Sequence, residues 1–349
     1  MRINSLKMGL HMEWKSFLSG DHLRPMGFVI GLVVCALSMQ GCLSEVTYTD
    51  LYRMPDGATY SGQVKRVGGR LIRDGQGVYA WASRDEYEGQ WKDDVPSGQG
   101  TFTTYDGAVY DGEWREGRFH GKGTYRWPDD SSYTGEFRNG VKSGRGVLRW
   151  ADGRVYEGDF RADVKSGTGI YRWKDNRIYQ GDFVDGRRSG QGKMSFPDDT
   201  VYEGQFVDGK MQGLGSLKLP DGRVYEGSFR DDMPAGRGTL RWPDGTKYEG
   251  NFISGKLSGK GMMTWPDGTE YVGQFVAGQR SGKGRMRWPN GMVYEGGFDA
   301  GTMQGEGKLI WPNQEMFEGP FQDGRINGRG RCSVKEKSFV CKYMRGHPV

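Results

Sequence analysis

The chain has 349 residues, 60 of them glycine, with 35% hydrophobic and 13% aromatic content and a net charge of +5. So much glycine and so few apolar side chains exclude a large close-packed globular core, and periodic aromatics exclude disorder. The charge is too balanced for a nucleic-acid binder: Arg2, Lys7, Lys15 and Arg24 against Glu13 and Asp21 account for +2 of it, leaving +3 beyond Cys42.

At the N-terminus, positive charge precedes an apolar run over residues 26–37, and small residues follow near Gly41. That is the layout of a secretory signal rather than a membrane span. Twelve helical residues rise about 18 Å, short of the roughly 30 Å hydrocarbon core. Met39, Gln40, Gly41 and Cys42 resemble the lipobox of bacterial lipoproteins, whose cysteine is lipidated and becomes the mature N-terminus. The resemblance makes Cys42 the expected lipid-attachment residue, and it implies a lipid anchor in a membrane of the cell envelope. In a Gram-negative cell Leu43 would favour the outer membrane, facing the periplasm; a secreted or signal-anchored protein is the alternative. Residues 1–41 are thus expected as signal peptide and 42–59 as linker.

From residue 60 the sequence is periodic. Tyr87, Tyr110, Tyr133, Tyr156, Tyr179, Tyr202, Tyr225, Tyr248, Tyr271, Tyr294 and Phe317 each precede x-Gly at a spacing of 23 residues, and Tyr60 is a forerunner with four extra residues. A short fixed period means stacked copies of one supersecondary unit, each burying its apolar face against its neighbours. In the copy at 133–155, Tyr133, Gly135 and Phe137 alternate with Thr134 and Glu136. Gly144, Gly146, Leu148 and Trp150 alternate with Arg145, Val147 and Arg149. Both runs have the period of a strand, so each copy is a β-hairpin. The position of Gly140 holds Gly in eight regular copies and Asp in three (Asp94, Asp163, Asp232), which predicts left-handed backbone there. Between copies, Trp-Pro-Asp-Gly at 242–245 and 265–268 predicts a turn.

Pairing Phe137 with Gly144 across a six-residue loop puts Gly135 opposite Gly146 and Tyr133 opposite Leu148. Continued through the linker, it puts Trp150 opposite Tyr156 and Gly146 opposite Phe160. Each phenylalanine ring then covers side-chain-free strands on either side, although a bulge in the loop would shift the register. The other face is polar and sorted by charge, with Glu88, Glu157, Glu203, Glu226 and Glu249 on first strands and Arg126, Arg149, Arg172, Arg241 and Arg287 on second strands. It reads as a solvated face, with a binding face as the alternative.

Tyr202-Glu203-Gly204-Gln205-Phe206, followed by Gly213 and Gly215, resembles the MORN (membrane occupation and recognition nexus) repeat, over about residues 60–331 in some twelve units. The resemblance implies an all-β fold, an elongated twisted antiparallel β-meander of consecutive 23-residue hairpins. It also implies protein association, scaffolding or membrane apposition, since in family members with enzymatic activity the chemistry belongs to a separate domain.

After Arg331, residues 332–349 form a C-terminal cap or tail. Cys332 and Cys341 are the expected disulfide in an oxidising compartment, pinning the end of the array, with two free thiols as the alternative. No His/Cys cluster has zinc spacing, so no metal and no cofactor is expected. His120 reads as a loop histidine and His347 as a solvated tail residue. Glu203 and Glu226 recur too regularly to mark one acid–base pair, and the Gly-x-Gly pairs sit mid-strand with no helix after them, unlike a phosphate cradle. No catalytic residue is singled out. The expected function is a membrane-tethered scaffold or adaptor that binds protein through its sheet surface, without nucleic acid or small-molecule substrate. A phospholipid-binding or membrane-apposition module, prompted by Arg149-Trp150 and Arg287-Trp288, is the alternative; an enzyme is the third reading.

Overall fold

A computed structural model of the protein describes residues 46–335 and 337–349; the expected signal peptide at 1–41 and Cys42 lie outside them. The chain divides into two units, Met1–Lys165 and Ser166–Val349. Each is an antiparallel meander of hairpins that follow one another in chain order, with no helix among the described residues.

The copy Ser132–Arg138 with Val141–Arg149 stands for the rest: a seven-residue strand, a turn and a nine-residue strand. Arg138 pairs with Val141, so only Asn139 and Gly140 lie in the turn, at φ 53° and 86°. Two left-handed residues are the signature of a type I′ turn, whose twist matches that of the flanking strands. The six-residue loop expected here is therefore a two-residue turn followed by a bulge. Gly135 faces Gly146 and Tyr133 faces Leu148, as the spacing predicts, but Phe137 faces Lys142, and Ser143, Gly144 and Arg145 together oppose Glu136. Gly144 takes φ 59° to make the bulge.

The linker register also differs from expectation. Trp150 N–H donates to Arg154 O at 3.0 Å and Gly153 N–H to Trp150 O at 2.9 Å, so the loop needs three residues, and Arg149 rather than Trp150 is the last paired position. Tyr156 consequently faces Leu148, Gly158 faces Gly146, and Phe160 faces Gly144.

The ring that covers bare backbone is accordingly the tyrosine, not the phenylalanine. A Cβ on Gly146 would lie 2.5 Å from Tyr133 Cε2, and one on Gly135 would lie 2.5 Å from Gly146 Cα. Tyr133 is fully buried, its Oη donates to Glu136 O at 2.9 Å, and Phe137 and Phe160 stand edge-on to it at 5.0 and 5.1 Å. Tyr202, Tyr225, Tyr248, Tyr271 and Tyr294 are likewise held by their own phenylalanine and by that of the next copy, a favoured T-shaped geometry for aromatic pairs, and Tyr87 by Trp91 and Trp114.

Turn residues tie hairpin to hairpin. Gly140 N–H donates to Phe119 O at 2.9 Å and Asp163 N–H to Lys142 O at 3.0 Å. Where aspartate replaces glycine, its carboxylate adds a bond: Asp163 Oδ1 accepts from Lys142 N–H at 2.9 Å, and Asp94 Oδ1 from Arg73 N–H at 2.7 Å. That bond offsets the strain of a non-glycine residue at φ 66–69°.

The ends are built from the same parts. Thr59–Val67 and Arg70–Ala80 have nine and eleven residues, so the four extra residues of the Tyr60 copy are two on each strand. The linker expected over 42–59 gives way to a strand at Val46–Arg53, which pairs with Thr59–Val67 and occupies what would be an open sheet edge. At the other end Gly328–Val334 pairs with Lys337–Met344, and Tyr343 stands edge-on to Phe317 at 5.4 Å, where a following phenylalanine stands elsewhere.

Candidate functional site

On the ring face, the bulge places one further column opposite Trp91, Trp114 and the phenylalanines of later copies, and its occupants vary: Pro96, Phe119, Lys142, Arg188, Met211, Pro234, Leu257, Arg280 and Met303. The cations here lie on aromatic rings. The Arg188 guanidinium is 5.4 Å from the Trp173 ring and 5.4 Å from Phe206, and donates to Gly209 O. Arg280 repeats the arrangement over Trp265 at 5.4 Å and Phe298 at 5.6 Å, donating to Gly301 O at 2.7 Å. Burial holds both guanidinium pKa values below their usual range. Lys142 is likewise lowered by burial, against the pull of Asp163 Oδ1 3.7 Å away, and its ammonium lies 5.5 Å from the Trp127 ring. The half-buried linker tryptophans Trp127, Trp173 and Trp265 therefore each carry an internal cation contact. The tyrosines are neutral fixtures: burial raises the Tyr202, Tyr225, Tyr248 and Tyr294 phenols to about 12.

The outer face has its own two columns. One is the residue between the glycines of Gly-x-Gly; the other, three residues after each tyrosine, faces it across the linker side. In the first unit basic residues meet acids: Lys122 faces Glu136, and Arg145 faces Asp159, with Arg145 Nε 3.6 Å from Asp159 Oδ1. In the second unit Arg237, Lys260 and Lys283 face Asn251, Gln274 and Gly297. All three cations are exposed, and none has a carboxylate within ion-pair distance among the described residues. They line one groove, with Met262 and Val272 in its floor and walls; a second hollow sharing Asn251 continues it towards Ile253 at the hairpin turns. The acids that line the groove and the hollow are taken, Glu249 by Lys247 and Asp231 by Lys210, and Glu226 and Glu295 pair with Arg241 and Arg285. Sequence reading by charge rows missed this column, although superposing the copies at their 23-residue spacing brings the three cations into line.

Of the residues singled out from sequence, Cys332 and Cys341 are joined by a disulfide with Cα atoms 5.8 Å apart, on adjacent strands. Cys42 is outside the described residues. His120 lies not in a loop but in the strand Arg118–Arg126, facing Glu113, with a buried Nδ1 that has no hydrogen-bond partner among the described residues. His347 is exposed in the two-residue strand His347–Pro348. Glu203 and Glu226 face Ser216 and Thr239 within their hairpins, so the charge rows meet diagonally rather than face to face. Among the described residues no three His, Cys, Asp or Glu are grouped to hold a metal ion, and no helix is long and apolar enough to cross a membrane.

Tyrosines laid on glycine rows, hairpin after hairpin, define a β-hairpin repeat protein. The MORN repeat model matches residues 72–86, 87–109, 110–132, 133–153, 156–176, 179–201, 202–222, 225–247, 248–270, 271–293 and 294–316, and the chain belongs to this family. No match is found among curated proteins. Solved structures to which it is similar include the TCP10 domain of Danio rerio CPAP in complex with a peptide of Danio rerio STIL, at 14% identity over 69% of this chain and 94% of that one, TM-score 0.30. Another is virginiamycin B lyase from Staphylococcus aureus, at 10% identity over 83% of this chain and 92% of that one, TM-score 0.14. Overlays this loose carry no inference about either partner or activity.

Proposed function

We propose that the protein is a non-catalytic scaffold or adaptor, tethered to a membrane of the cell envelope through lipidated Cys42 and binding protein partners through its repeated sheet surface. MORN arrays are consistent with a non-catalytic repeat scaffold. The observation that carries the reading is the division of labour between the faces. The ring face is consumed by packing, with its tyrosines buried, while the outer face offers the same positions to solvent in every copy with side chains free to vary. Variation at equivalent exposed positions of a rigid repeat is how such arrays acquire partner specificity.

Chemical cross-linking in intact cells, followed by affinity capture and mass spectrometry, tests the adaptor. Reproducible protein partners support it, and recovery of the bait alone counts against it. Cys42→Ala tests the tether: the protein is expected to move from the membrane fraction to the soluble one, and unchanged membrane association removes that part of the proposal.

A further inference from the structure

We infer that the groove over residues 225–297 is a docking site for an acidic segment of a partner polypeptide in extended conformation, held by Arg237, Lys260 and Lys283. The inference deepens the scaffold reading and rests on it. Three observations converge. The three cations occupy the same position in successive copies and line one groove. In the first unit, Lys122 and Arg145 at that position face carboxylates, whereas here the facing residues are Asn251, Gln274 and Gly297, so the positive charge is left uncompensated. And the groove carries exposed apolar side chains, Met262, Val272 and Ile253, beside the cations.

Geometry selects the occupant. Successive cations are two strands apart, about 9.6 Å at the usual strand spacing. A chain in the extended polyproline II form advances about 3.1 Å per residue with three residues per turn, so carboxylates at every third residue share one side about 9.3 Å apart and keep step with all three cations. The residues between them present apolar side chains to Met262 and Val272. A planar anionic lipid surface would meet the exposed charges but would not fill the hollow between the strands, so a chain of carboxylates suits the concavity better.

The test uses the full chain and a fluorescent fifteen-residue peptide with Glu at every third position and Val and Ser between, beside its Gln counterpart. Fluorescence anisotropy is expected to show binding of the Glu peptide that weakens as salt is raised, and at least tenfold weaker binding of the Gln peptide. Reversing the column (Arg237→Glu, Lys260→Glu, Lys283→Glu) is expected to weaken the Glu peptide at least tenfold with an unchanged circular dichroism spectrum. The same reversal at Lys122 and Arg145 is expected to leave it within twofold. No binding of the Glu peptide, or binding indifferent to the column, overturns the inference. Binding to phosphatidylserine vesicles that the column reversal abolishes, without peptide binding, reassigns the column to lipid and overturns it too. Cellular partners captured equally by the wild-type and column-reversed chains would leave the scaffold reading standing while removing this site from it; no partners for either would sink the scaffold reading itself.

Discussion

Gly204 and Gln205 are neighbours on opposite faces, and their substitution separates the two. A Cβ at Gly204 would sit 2.5 Å from Tyr202 Oη and 2.6 Å from Gly215 Cα, so Gly204→Val is expected to destabilise by about 1–3 kcal/mol in urea unfolding. Gln205 is exposed and loses only a 3.4 Å hydrogen bond from Leu214 N–H, so Gln205→Val is expected to stay within about 0.5 kcal/mol; equal losses would contradict the assignment of faces. Asp163→Ala removes the acceptor for Lys142 N–H, leaves the buried Lys142 ammonium without its carboxylate and strains alanine at φ 69°, a cost of about 2–4 kcal/mol. Asp163→Gly is expected to cost less, because it relieves the backbone. At this scale the left-handed turn position was legible from the Gly/Asp alternation alone. The bulge was not: Gly144-Arg145-Gly146 alternates like flat strand, and only the preference of Asn139-Gly140 for a two-residue turn tips the balance, a cue present in the sequence and outweighed there by the ring-over-glycine pattern.

Hairpins support each other locally, so damage at one end should stay there. The bridge between Cys332 and Cys341 closes a ten-residue loop, worth about 2–3 kcal/mol on chain-entropy grounds. Replacing both cysteines by alanine is expected to raise amide hydrogen exchange over 316–349 and to leave exchange at Tyr202 and Tyr225 unchanged, since each copy contacts only its neighbours. Loss of protection throughout would mean that the copies unfold as one body. Which strands exist and which face each buries followed from period-two patterning. The terminal strands did not, because Val46–Arg53 lacks the Tyr-x-Gly signature and gains its order from pairing with the first hairpin rather than from its own pattern.

Across the whole molecule, the buried tyrosines couple stability to alkali. Burial raises their phenols above the usual value of 10, Tyr202, Tyr225, Tyr248 and Tyr294 among them to about 12. Below pH 10 both folded and unfolded chains keep these protons and stability is complete. Between about pH 10 and 12 the unfolded chain ionises while the folded one holds its protons, and each such tyrosine removes up to about 1.4 kcal/mol per pH unit. A steep, cooperative loss of β-sheet circular dichroism in that window, coincident with the rise of tyrosinate absorbance, is expected. Tyrosines that ionise near pH 10 with the sheet intact would refute their burial.

Because Tyr225 is clasped by Phe229 and by Phe252 of the following copy, and Tyr248 by Phe252 and Phe275 in the same way, these two junctions offer the same socket. Excising 248–270 would bring Phe275 into the place of Phe252, and such a shortened protein is expected to melt within a few degrees of its parent. In-frame duplication or loss of one copy in the gene would then change the length of the molecule without any new interface having to evolve.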